Sequence, residues 1–126
     1  MHYKKFKMKY FIALICPLLF IASCANHENN KMIVGNWAGT EWLVNGSISN
    51  LDAQKASFTF TDKGSYSFIY DGNKEEGTYK VENDMLFTKP TNEREIMVKI
   101  VKLTKDSLTF DMNRSGQAET LMLIKK

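Results

Sequence analysis

From Met32 onward the chain alternates apolar and polar residues in short runs broken by turn residues, with no apolar spacing of the helical kind. "ASFTFTD" sets Phe58 and Phe60 on one face against Ser57, Thr59 and Thr61 on the other. "SYSFIYD" does the same with Tyr66, Phe68 and Tyr70. "EEGTYKVE" follows with Tyr79 and Val81, then "MLFTK", then "REIMVKIVKLT" with Ile96, Val98 and Ile100 on one face. "SLTFDMN" and "AETLMLIKK" close the series, the first alternating Leu108, Phe110 and Met112 with Thr109 and Asp111. The breaks are Lys63-Gly64, Asp71-Gly72, Asn83-Asp84, Pro90-Thr91-Asn92, Lys105-Asp106 and Ser115-Gly116, and Asp-Gly is the strongest hairpin signal of these.

With "GNWAGTEWLV" (Gly35–Val44) in front, the pattern predicts eight strands joined by short connections, apart from one longer loop over Asn45–Lys55. That is an all-β protein. Eight sequential antiparallel strands close into an up-and-down barrel, which leaves no exposed edge; a two-sheet sandwich is the alternative. The Gly35-Asn36-Trp37 opening of the first strand, together with "GTYKVENDMLFTKP" and "FDMNRSGQAETLMLIKK", resembles the small lipocalin-like lipoproteins of Bacteroidetes over roughly Met32 to Lys126. The resemblance implies that Trp37 plugs the barrel floor, with an arginine near the end of the last strand packed over its indole. Here Arg114 is the last arginine and strand eight ends in Lys125-Lys126, so either Lys125 substitutes or the contact is absent.

Alternating connections divide the loops between two ends. One rim gathers Asn45–Lys55, Asp71–Lys74, Lys89–Glu95 and Asn113–Gln117, and so carries Arg94 and Arg114. The other end holds the tight turns, Trp37 and the terminal lysines. The candidate lining of the cup comprises Glu41, Phe58, Tyr66, Phe68, Tyr70, Tyr79 and Phe110. Glu41 shares parity with Trp37 and points inward if the strand is regular, whereas a bulge in "GTEW" would turn it outward and bring Trp42 in. A barrel of this size is filled by its side chains or holds one small ligand. With so many rings a largely filled core is favoured, although the tyrosine hydroxyls on apolar faces need partners.

The first residues follow a different pattern. "MHYKKFKMKY" is basic without an acid, and an uncharged run of 13 residues follows, Phe11–Ser23. That is the build of a secretory signal, too short for a membrane span of about 20 residues and interrupted by Pro17. "IASC", Ile21–Cys24, resembles the bacterial lipobox, which implies cleavage before Cys24, acylation of its sulfur and anchoring in a membrane. The expected organisation is a signal peptide over 1–23, a lipidated cysteine and polar tether over 24–31, and the barrel over 32–126. The expected location is the bacterial cell envelope, the outer membrane being favoured over the inner.

This division changes the charge and the chemistry. The chain carries 17 basic and 14 acidic residues; without the four lysines of the leader, 13 basic residues face 14 acidic ones. The apparent basicity belongs to the leader, so nucleic acid is not an expected partner. Cys16 and His2 lie in the leader and His27 in the tether, leaving the barrel without cysteine or histidine. Ser-His-Asp and Cys-His catalysis and the usual zinc sites are excluded on that ground, and neither a metal nor a cofactor is expected. Glu75 and Glu76 read as solvated neighbours. "DSL", Asp106–Leu108, resembles the O-glycosylation site of exported Bacteroidetes proteins, which implies modification of Ser107.

The expected function is non-covalent binding of a small apolar or amphipathic ligand in the cup, by an anchored lipoprotein that is not an enzyme. The alternative is a filled-barrel envelope protein that meets a protein partner through its rim loops.

Overall fold

The computed structural model describes residues 28–126 of the 126-residue chain. The expected signal peptide and lipobox, Cys24 and the first part of the expected tether lie outside the described residues. The strands are β1 (Gly35–Val44), β2 (Ser47–Ile48), β3 (Ala56–Phe60), β4 (Ser65–Tyr70), β5 (Asn73–Glu82), β6 (Met85–Pro90), β7 (Ile96–Leu103), β8 (Ser107–Arg114) and β9 (Gln117–Lys125). Consecutive strands from β3 to β9 pair antiparallel, β1 pairs β3, and β9 returns to β1 from Trp37↔Lys125 to Val44↔Glu119. The sheet is thus a closed barrel of eight strands with one extra two-residue strand.

The extra strand has a physical cause. β1 pairs with β3 only along Gly35–Ala38, so its upper half faces an opening on that side. The chain fills it by doubling back: Leu43 and Val44 pair with Ile48 and Ser47 across Asn45-Gly46, and a 3-10 turn, Ala53–Lys55, then leads into β3. Gly39 makes the close approach possible, since a Cβ there would collide with the carbonyl of Ala53. Asn45-Gly46, Asp71-Gly72 and Ser115-Gly116 all have positive φ at both positions. Such pairs suit the tight hairpin turns that match strand twist.

Two bulges correct the regular alternation. Between Gly39 and Glu41 the β1–β9 register slips by one residue. Beyond it the faces swap, so Glu41 is exposed and Trp42 is buried at 5% exposure. Glu41 is therefore not part of the cup lining. The second bulge, between Ile100 and Lys102, leaves Val101 on the outside.

The barrel floor is closed by residues that the polar composition assigns to a tether. Residues 28–32 form a helical turn. Asn29 Nδ2 donates to the Asn83 carbonyl at 3.0 Å. Asn30 bonds both backbone groups of Val81, at 3.2 and 3.3 Å. Ile33 follows into the core at 0% exposure, beside an equally buried Trp37 whose indole N–H donates to the Ile33 carbonyl at 2.8 Å. Asn29 and Asn30, which composition places in the tether, thus bond the backbone of the barrel. Its core runs from Ile33 to Leu123 inside a ring of strands without a gap, so residues 28–126 carry what the fold requires.

Candidate functional site

Aromatic packing divides the interior into a solid lower half and an open upper half. Below, Phe60 meets Tyr79 edge-on at 4.9 Å and lies 6.4 Å from Tyr66, over the Trp37 plug. Phe58 stacks on Phe60 at 5.5 Å and carries the column upward. Above, Phe58 stacks on Phe68 at 4.5 Å and takes the edge of Phe110 at 5.6 Å. Beyond these rings a cavity of about 310 Å³ remains, reaching from Phe58 and Phe68 to Ile96, Asn113 and Arg114. Its lining reaches the surface at the start of β7, Ile96 and Met97, and at the end of β8, Asn113 and Arg114. The barrel is filled below and hollow above, so the rings do not fill it entirely.

Of the lining expected from alternation, Phe58, Phe68 and Phe110 form the cup wall. The three tyrosines serve other contacts. Tyr66 is buried, and its hydroxyl donates to Glu75 Oε2 at 2.8 Å, with the Thr88 side chain nearby. Tyr70 sits edge-on to Trp42 at 5.4 Å, and its hydroxyl accepts from the Asp52 N–H at 3.2 Å. Tyr79 belongs to the lower half, where its hydroxyl donates to the Thr61 carbonyl at 2.6 Å. Arg114 stands at the mouth, while Arg94 is exposed on the β6–β7 loop and does not line the cup. Ser107 is half-buried at the start of β8, its N–H held by Thr104 Oγ1 at 3.0 Å.

Three acidic or aromatic groups of the site escape a simple reading. Glu75 lines the cup, half-buried, whereas Glu76 is outside in an ion pair with Lys74 at 2.8 Å. Parity with Tyr79 and Val81 on β5 carries the signal, but a carboxylate at a strand start is usually assigned to solvent. Glu119 is 4% exposed, sharing parity with Leu121 and Leu123. Burial of that carboxylate would be costly without partners. One oxygen accepts the Trp42 indole N–H at 2.8 Å, and the other lies 3.5 Å from Arg114 Nε. Trp42 itself reaches the cup only because of the β1 bulge.

The titration of the tyrosines reflects these surroundings. Burial pushes Tyr66 far above the usual phenol range, and the hydrogen bond and negative charge of Glu75 push it further. Burial first, then the charge of Asp62, raises Tyr79. Both therefore stay neutral donors at ordinary pH. Among the described residues no group of three or more His, Cys, Asp or Glu side chains is gathered as a metal would need. The arrangement can enclose an apolar body and offer it a carboxylate, a threonine hydroxyl and a guanidinium edge.

The lipocalin-like domain family model matches residues 33–110, which span β1 to the middle of β8. A crystal structure of a lipocalin-like protein from Bacteroides uniformis superposes with a TM-score of 0.57 at 17% identity, covering 75% of this chain and 98% of that one. An uncharacterized protein from Bacteroides eggerthii superposes with a TM-score of 0.59 at 16% identity, covering 75% and 99%. No curated protein matches the chain.

Proposed function

Because the chain belongs to the lipocalin-like domain family, we propose that it is a membrane-anchored lipoprotein that holds a small apolar or amphipathic molecule in its cup. The observation that carries the binding reading is the open upper half: about 310 Å³ walled by rings and aliphatic side chains with a few convergent polar groups. Small-molecule sites have that make-up, and their volumes begin at about 300 Å³. Binding is by burial, with orientation from polar groups at one side of the cup. No bond of the ligand is made or broken, and no cofactor enters. A hollow upper half weighs against the filled-barrel alternative. The anchor rests on the sequence alone, on the basic leader, the apolar run and "IASC" ending at Cys24.

Native mass spectrometry of the protein purified from its own envelope tests the cup. A co-purifying lipid or metabolite is expected, and consistently empty protein from several growth conditions would overturn the reading. Membrane fractionation tests the anchor. The wild type is expected in the membrane with acyl mass on Cys24, and Cys24→Ala in the soluble fraction. A wild type found unmodified and soluble would remove the anchor and leave the cup untouched.

A further inference from the structure

We propose that the cup selects a ligand with a cationic head, a compact organic ammonium on an apolar body, and rejects the corresponding carboxylate. This rests on the cup being the binding site and concerns what end of the ligand it accepts.

The first ground is an imbalance of charge. Glu75 is the one carboxylate among the cup-lining residues and Arg114 the one cation. Arg114 is already engaged, because Glu119 behind it is buried and, among the described residues, forms an ion pair with no other cation. An anionic ligand that drew Arg114 away would leave that carboxylate buried and uncompensated, a large cost. Glu75 has no such counter-charge: among the described residues, none of the ion pairs includes it. What it does have is the Tyr66 hydroxyl on Oε2, with the Thr88 side chain near that hydroxyl. That partner is neutral and fixes the carboxylate in place without cancelling it. Glu93 on the β6–β7 loop is close enough to add its negative field at Tyr66.

The second ground is the wall. Phe58, Phe68, Phe110 and Trp42 surround the same volume. Aromatic faces attract cations, and organic ammonium groups are the usual guests of such boxes. An ammonium set against Glu75 would gain a charge-assisted hydrogen bond while its body lay on the rings. A carboxylate head in that position would face the Glu75 charge across a low-dielectric space. The volume lies at the small end of ligand sites, which suits one ring system or a short chain.

A matched series sharing one apolar body separates these terms: 1-naphthylmethylamine, 1-naphthylmethanol and 1-naphthoate, titrated at pH 7 into the chain from Ala25 to Lys126 by calorimetry. The amine is expected to bind about tenfold or more tighter than the alcohol, from the added hydrogen bond and cation–π attraction. The carboxylate is expected to bind more weakly than either. Glu75→Gln keeps an acceptor for Tyr66 and should remove most of the amine's lead over the alcohol, the share due to the rings remaining. A thermal melt and far-UV circular dichroism spectrum matching wild type report an intact fold for the variant. Equal binding of amine and alcohol, or preference for the carboxylate, would overturn the cationic head and spare the cup. Failure of all three to bind to folded protein would overturn the cup itself.

Discussion

Lys125 Nζ lies 4.8 Å from the ring centroid of Trp37 and donates to the Val34 carbonyl at 2.7 Å. The last strand thus locks the floor residue of the first strand with a lysine, and Lys125 takes the place where the lipocalin pattern has an arginine. Its charge acts on the indole face and on a carbonyl just outside the barrel. Lys125→Met keeps much of the stem but loses both, and should destabilise the fold by about 1–3 kcal/mol. Lys125→Arg should stay close to wild type. Urea denaturation of the three proteins reads the difference. An unaffected Lys125→Met would show the contact to be idle.

The β1 bulge makes a paired prediction. Glu41→Ala removes an exposed side chain and should change stability by less than about 0.5 kcal/mol. Trp42→Phe retains an aromatic ring but takes the donor from buried Glu119, and should cost about 1–3 kcal/mol. Thermal melts that ranked the two in the opposite order would place the bulge elsewhere.

Gly39→Ala tests how tightly the 3-10 turn sits on β1. A methyl group there meets a backbone carbonyl rather than the end of a flexible side chain, so the turn has to move. A loss of at least about 1–3 kcal/mol is expected. Hydrogen exchange should quicken at Lys55 and Gln54, whose amides are bonded within that turn. A fully stable variant with unchanged exchange would contradict the close approach.

Tyr66 makes stability depend on pH at the alkaline end. Its folded-state pKa is raised above its ordinary value near 10, so between those two values the unfolded chain has lost a proton that the folded one keeps. Unfolding then releases a proton, and stability falls as pH rises from about 10 upward. The contribution is fully present below that point. Tyr66→Phe should flatten the decline, leaving a smaller slope from Tyr79, which is shifted in the same direction. Melting temperatures from pH 8 to 11 for wild type and variant check it; identical slopes would remove Tyr66 as the cause.

Much of the barrel is legible because one face of each strand is packed and the other wet. Phe58–Phe60, Tyr66–Phe68 and Leu108–Phe110 announce both the strands and their inner faces. Parity fails at Glu41 because a single extra residue in β1 reverses every side chain beyond it, and "GTEW" carries no mark of where that residue sits. Glu75 and Glu119 lie on readable inner faces, yet charge argues for solvent, and only their partners Tyr66, Trp42 and Arg114 explain their place. Residues 28–33 are hidden for another reason. Their plug is made by asparagine side chains bonding strand backbone far along the chain, which leaves no periodic trace.

The chain enters the barrel at the floor, through Asn29, Asn30 and Ile33, and the cup opens at the far end beside Arg114 and Asn113. Those ends are separated by roughly the length of a ten-residue strand, about 30 Å. A protein held by residues preceding 28 would be attached at its closed end, with the mouth at the opposite one. Its cargo would then arrive through the aqueous phase or from the hands of another protein, and a molecule dissolved in the supporting bilayer would have to leave it first.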